Sequence, residues 1–186
     1  MKKYILIAGV NGAGKSTLYQ TNSGLQGIPR VNTDEILREF GDWKNINDVF
    51  KAGTIALKKI TQYFLEGITF NQETTLCGNA VVKYIQKAKE AGYLIEIHYV
   101  GVDSVEIAKE RVRQRVLDGG HGIDESDIER RYYESFKQMN KILKECDLVV
   151  FYDNTEDFRR FAFFQRGEVR LLSRNIPKWF EEYIEY

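Results

Sequence analysis

The sequence predicts an α/β fold: a mainly parallel sheet flanked by helices, with a helical lid and a C-terminal hairpin plus helix. Three observations carry that reading. Short apolar runs alternate with stretches of helical periodicity, the pattern of a parallel sheet covered on both faces. The first run, "KYILIAG", stops at glycine and passes quickly into a helix start. The composition is that of one compact domain, 186 residues with 43% hydrophobic and 29% charged side chains. A chain of this length buries roughly 70% of the surface that its unfolded form exposes.

Each element can be justified in order. "KYILIAG" (2–8, then Gly9) is a continuous apolar run, suited to a strand buried on both faces. A helix is expected from about Lys15, and "PRVNTDE" carries a second short strand ending near Asn32. Residues 46–67 place Ile46, Val49, Phe50, Ile55, Ala56, Ile60 and Phe64 at helical spacing. "ITFNQET" reads as a strand, and "NAVVKYIQKAKEAGY" as a helix ended by Gly92. "YLIEIHYVGV" is the next strand, followed by helices over "SVEIAKERVRQRVLDGG" and "DESDIERRYYESFKQMNKILKEC" with a glycine-rich turn between them. In the second of these helices, Ile128, Tyr132, Phe136, Met139 and Leu143 form an apolar stripe expected to pack. "DLVVFYD" is a further buried strand, "FRRFAFFQRGEVRLLS" a hairpin, and a last helix follows Pro177. Right-handed crossovers restrict the topology to a few options.

Charge and composition exclude several roles. Lys plus Arg and Asp plus Glu number 27 each, so the formal net charge is zero and neither nucleic acid nor a membrane is the expected partner. The arginines of the Phe-rich hairpin, Arg159, Arg160, Arg166, Arg170 and Arg174, are accordingly read as ordinary surface groups. The apolar run Tyr4–Val10 is far shorter than the ~20 residues that span a bilayer, and no small-residue cleavage site follows it. Cys77 and Cys146 form no metal-ligand spacing or disulfide framework; small buried hydrophobes in a reducing, cytoplasmic setting is the expectation.

The chemistry-bearing stretch is "GVNGAGKST". Gly9, Gly14, Lys15 and Ser16 satisfy G-x-x-x-x-G-K-[ST], between a buried strand and a helix start, the context this motif requires. The backbone of Gly9, Asn11, Gly12, Ala13 and Gly14 would turn its N–H groups onto a β-phosphate. Lys15 would reach the β/γ oxygens, and the Ser16 hydroxyl would ligate Mg²⁺. Thr17 either touches the α-phosphate or simply starts the helix. The expectation is a P-loop NTPase fold with ATP and Mg²⁺ as cofactors.

Other P-loop classes lack their parts. "NKIL" has no aspartate for an N-K-x-D guanine reader and lies in an amphipathic helix, and no LSGGQ-like signature exists. Asp153 ends an apolar strand as a Walker-B acid would, but that strand is the last of the parallel set, so a turn with Asn154 is the plainer reading. An alternative reading places Asn154 near an adenine.

Small-molecule kinases remain, and their parts have candidates. Asp34 in "VNTDEI" stands at the carboxyl end of the second strand, where open α/β sheets bind ligands. A carboxylate there can orient an acceptor hydroxyl and take its proton, whereas the bland alternative has Thr33 or Asp34 capping a helix and Glu35 in its first turn. Glu73, Thr74 and Thr75 end the third strand, fit for a sugar or ribose hydroxyl, with Glu73 alternatively acting on Mg²⁺ through water. Arg111, Arg113, Arg115, Arg130 and Arg131 surround "DGGHGI", a candidate lid over about 111–131 that would bring a guanidinium to the transferring phosphoryl. The same segment reads otherwise as a solvated, ion-paired helix hairpin. His121 is a lid contact or a turn residue; His98, in an apolar strand, is a core histidine.

Taken together, "GVNGAGKST", "VNTDEI", "FNQETTL", "RVRQRVLDGGHGI", "IERRYYESF" and "YDNT" resemble the zeta toxin-like P-loop kinases over about residues 3–155. That resemblance implies a single kinase domain over 1–186. It also implies ATP- and Mg²⁺-dependent transfer to a hydroxyl, in the better-studied members the 3′-hydroxyl of UDP-N-acetylglucosamine, and the possibility of an antitoxin partner. It places the base on Asp34, the acceptor contact on Glu73, and the phosphate-neutralising arginines among Arg115, Arg130 and Arg131. The alternative expectation is a P-loop ATPase or nucleotide-dependent switch that transfers phosphate only to water.

Overall fold

The computed structural model describes residues 1–186. Strand β1 (Lys3–Ala8) is the apolar run expected from sequence, and Tyr4–Ala8 are at most 2% exposed, as a strand covered on both faces requires. It sits third from one edge of the sheet: β3 (Phe70–Thr74) pairs with it on one side and β4 (Leu94–Gly101) on the other, both parallel. The short β2 (Arg30–Val31) lies outside β3, and β5 (Leu148–Asp153) outside β4, again parallel. The C-terminal hairpin, β6 (Arg159–Gln165) and β7 (Glu168–Leu172), adds two antiparallel strands, giving the order β2-β3-β1-β4-β5-β6-β7. The fold class expected from sequence is the one observed. The hairpin is not an appendage, because its main chain completes the β5 edge.

Helices connect the parallel strands. After α1 (Lys15–Thr21), the chain forms α2 (Thr33–Arg38). Its cap is neither Thr33 nor Asp34: the Asn32 side chain accepts from the Asp34 and Glu35 amides at 2.9 and 3.3 Å, which puts Asp34 inside the first turn. Helix α3 (Ile46–Glu66) is capped by Asn45 and ends at left-handed Gly67. Its buried face is Ala52, Ala56 and Ile60; Ile46 and Phe50, which share the helical spacing, are 62% and 69% exposed, and Ile46 lines the cavity described below.

α4 (Asn79–Glu90), α5 (Val105–Leu117) and α6 (Glu125–Ile142) follow the expected bounds, and the α6 stripe from Ile128 to Leu143 is buried. α7 (Lys178–Tyr183) buries Trp179 and Phe180 completely. The Trp179 ring fills the space above Gly101, where an added Cβ would lie 2.4 Å from it. His98 is a core histidine, with Nε2 2.8 Å from Glu96 Oε1 and Nδ1 3.1 Å from the Tyr152 hydroxyl. Cys146 is buried as expected, while Cys77 is only half-buried. No helix is long and apolar enough to cross a membrane.

Candidate active site

Strand β1 lies between β3 and β4, so the chain steps to opposite sides of it, and the crevice at its carboxyl end is where an open α/β sheet binds ligands. The "GVNGAGKS" loop occupies that crevice. Gly9 has φ 139°, and a Cβ there would lie 2.2 Å from the Val100 carbonyl oxygen, so only glycine lets the loop leave β1 this close to β4. Gly14, at φ 103°, opens α1. Asn154 lies behind the loop, its Nδ2 donating to the Ala13 carbonyl at 2.8 Å; it therefore braces the cradle.

Lys15 is 8% exposed, and its ammonium donates to the Val10 carbonyl at 3.0 Å. Burial pushes its pKa down, opposed by the charges of Glu73 and Asp34, with Arg115 adding to the lowering. Ahead of it opens a cavity of about 750 Å³. Asn11 and Lys15 line it from the loop, Asp34 from α2, Glu73, Thr74 and Thr75 from the end of β3, Arg115 from α5, and Arg131 from α6. Five separate elements thus bring together residues spread over more than half of the sequence. Gly9, Gly12, Ala13, Gly14, Ser16 and Thr17 are not among the lining residues; Ser16 and Thr17 are exposed on the first turn of α1, at the side of the loop.

The carboxylates are held differently. Glu73 Oε2 accepts from Arg30 at 2.5 Å and from Asn32 Nδ2 at 3.0 Å, and the Arg30 guanidinium stacks over the Tyr19 ring at 3.8 Å. One Glu73 oxygen is therefore fixed by the protein. Asp34 has no hydrogen bond to its carboxylate and meets only His121, whose Nε2 is 3.6 Å from Oδ1. The Thr74 hydroxyl accepts from the Leu76 amide at 3.0 Å, in a turn where Leu76 adopts φ 60°.

The five arginines of the lid separate clearly. Arg113 is paired with Glu110 and Glu125, and Arg130 with Asp127 and Glu134; both are exposed and neither lines the cavity. Arg111 donates to the Thr155 carbonyl at 3.1 Å. Arg131 lines the cavity and reaches Asn11 Oδ1 at 3.5 Å. Arg115 lines it with Nε and Nη2 buried and without a hydrogen-bond partner. Buried donors of a cation without partners are rare and costly, and they mark a place shaped for an anion. Asp153 has no such freedom: it accepts from the Thr155 hydroxyl at 2.7 Å, from Trp179 Nε1 at 3.1 Å and from Arg159 at 3.3 Å.

Residues 5–139 match the family model described as AAA domain. The chain belongs to the AAA domain family. An uncharacterised protein of Haemophilus influenzae (strain Rd) is 33% identical over 130 residues, covering 70% of this chain and 92% of that protein. Among solved structures, a chain of the AvrRxo1-ORF1:AvrRxo1-ORF2 complex with sulphate ions superposes with a TM-score of 0.74 at 14% identity, over 98% of this chain and 63% of that one. A form of the same complex with ATP gives 0.72 at 12% identity, over 92% and 60% of the two chains. A chain of the PezAT chromosomal toxin–antitoxin system of Streptococcus pneumoniae gives 0.62 at 19% identity, over 86% and 70%. At these identities the shared property is the fold, and this chain spans under two thirds of the AvrRxo1 chain's length.

Sequence reasoning missed Arg30, Asn32 and Trp43. Asn32 had a local signal, an Asn ahead of "TDE", but Arg30 and Trp43 enter the site only through tertiary packing.

Proposed function

We propose that this AAA domain protein is an ATP-dependent kinase, a single domain over 1–186 with a lid over about 111–131, that transfers the γ-phosphate to a hydroxyl of a small molecule. The observation that carries this is the convergence of Lys15, Asp34 and the unpartnered Arg115 guanidinium on one cavity. The ATP-containing AvrRxo1 structure, which shares the fold, supports nucleotide as the ligand of the loop.

The loop amides and Lys15 would hold the β- and γ-phosphates, with Asn154 bracing the loop. Ser16, exposed on the first turn of α1 beside the loop, would hold Mg²⁺, which would supply positive charge against the phosphates. Asp34 orients the acceptor hydroxyl and takes its proton as the acceptor oxygen bonds to Pγ and the bond to the β-phosphate bridging oxygen breaks. The transition state is loose, so in-line positioning outweighs strong deprotonation. Glu73, held by Arg30 and Asn32, with Thr74 and Thr75, binds the acceptor. Arg115, seconded by Arg131, neutralises the transferring group. Arg130 has no part in the reading, because its guanidinium is paired outside the cavity. A sugar nucleotide such as UDP-N-acetylglucosamine is the leading acceptor, on the zeta toxin-like motifs, and an antitoxin-like protein is the corresponding partner. A switch that hydrolyses ATP through Asp153 is disfavoured, since that carboxylate anchors Trp179 and Arg159.

The test is ³¹P NMR of the protein with ATP, Mg²⁺ and hydroxyl acceptors led by UDP-N-acetylglucosamine. A new phosphomonoester resonance, absent with Lys15→Ala, is expected; inorganic phosphate alone across the panel would speak for the hydrolase. Asp34→Asn should lower kcat about 10²–10⁴-fold while leaving ATP affinity nearly unchanged.

A further inference from the structure

The lid turn brings to the cavity one ionisable group that the proposed chemistry does not use. His121 has 16% of its side chain exposed, with Nε2 3.6 Å from Asp34 Oδ1. Its ring centroid lies 5.8 Å from that of Trp43. The flanking glycines make this placement possible. A Cβ at Gly122 would lie 2.6 Å from Trp43 Cη2, and one at Gly120 2.8 Å from the Arg115 carbonyl oxygen. The turn that closes over Arg115 therefore also presses the imidazole towards Asp34.

We propose that His121 and Asp34 form an acid–base pair, in which the imidazole receives the proton that the carboxylate lifts from the acceptor hydroxyl. This rests on the kinase reading above. The hydroxyl proton passes to an Asp34 oxygen as the new O–P bond forms, and ADP departs with the electrons of the broken Pγ–O bond. The proton then moves to Nε2, which restores the carboxylate and leaves an imidazolium that releases the proton to water as the lid opens. No further reactant is needed. His121 acts through Asp34 and is a positioning residue, not a group that touches the acceptor. The 3.6 Å separation exceeds a hydrogen bond, but such contacts tighten when substrate closes a site.

The surroundings suit this role. Burial holds the imidazole below its ordinary range, against the pull of Asp34 on α2, while Arg115 on α5, Arg38 on α2 and Arg131 on α6 lower it further. At neutral pH it therefore presents a free lone pair. Asp124 and Asp127 at the start of α6, Lys44 beside Trp43, and Lys15 and Glu73 across the cavity complete the charged groups around it. His98 is the control: it is tied to Glu96 and Tyr152 and lines no part of this cavity.

The chain has 2 histidines, so an NMR pH titration gives two imidazole curves. Asp34→Asn should move the His121 curve to lower pH and leave that of His98 in place; no movement would overturn the pair. Turnover is read as ADP release from ATP and Mg²⁺ between pH 5 and 9, with UDP-N-acetylglucosamine and with water alone as acceptor. His121→Gln should lower kcat about tenfold at pH 7.5, keep KM for ATP, and remove the fall in kcat that accompanies His121 protonation in the wild type. An unchanged profile in His121→Gln with normal wild-type turnover would sink the relay alone. No ADP release from the wild type with either acceptor would sink the kinase reading and the relay together.

Discussion

The two sides of β1 are built for opposite purposes. Towards β3 and β2, ionisable groups crowd the strand ends, one guanidinium keeps two buried nitrogens unpaired, and Leu76 holds a left-handed backbone next to Thr75. Beyond β4, the space between β5, β6, α6 and α7 is filled by rings: Tyr99, Phe136, Phe151, Phe161, Phe164, Trp179 and Phe180 are each at most 3% exposed. Phe136 and Trp179 stack at 5.5 Å, and Phe151 meets Phe180 edge-on at 5.0 Å. Asp153 ties β5 to Trp179 and to Arg159, and one buried polar atom on that side, Gln138 Oε1 on α6, has no hydrogen-bond partner. The difference teaches where each free-energy term sits. Stability resides in the aromatic block, and the strain and unpaired charge that chemistry needs are carried by the opposite edge.

Substitutions can break that division. The largest effect is expected from Arg115→Ala: a fall in kcat of about 10³–10⁵, worth ~4–7 kcal/mol of barrier, with a urea midpoint equal to or above that of the wild type because unsatisfied donors are removed. A lowered midpoint would place Arg115 in the structural half. Trp179→Ala should do the reverse, costing about 3–5 kcal/mol of unfolding free energy in urea titrations while leaving kcat per folded molecule intact.

A smaller effect concerns acid. Burial works to raise the Glu96 carboxyl, but hydrogen bonds from His98 and Lys3, with their charges, outweigh it and hold it at about 2. The folded value lies below the unfolded one, so this contribution is present above about pH 4.5 and fades as pH falls towards 2. Glu96→Gln should flatten that part of the stability–pH curve by about 1–2 kcal/mol, allowing for partial solvent screening. The smallest effect sharpens the contrast within the lid: Arg130→Ala should leave turnover within about twofold of wild type, because its ion pairs are exposed.

Much of this was legible in the sequence. The alternation of apolar runs and helical stretches foretold the layers, since a strand covered on both faces has few alternatives to a continuous apolar run. "GVNGAGKS" carried its own context, as backbone conformation and phosphate contacts there depend on neighbours in the chain. Along α3, Ile46 and Phe50 keep the helical spacing yet are exposed, because periodicity shows which residues share a face but not where the sheet beneath that face ends.

What the sequence determined by itself was local: which segments are strands, where the glycine loop turns, and which residue types could do phosphoryl chemistry. Which two arginines of five line the cavity was decided only by the packing of α5 against α6, since Arg113 and Arg130 find carboxylates a turn away and Arg115 does not. The fixing of Glu73 by Arg30, and the approach of His121 to Asp34, likewise join residues 43 and 87 positions apart. Such pairings depend on distances across the folded sheet, which no spacing along the chain encodes.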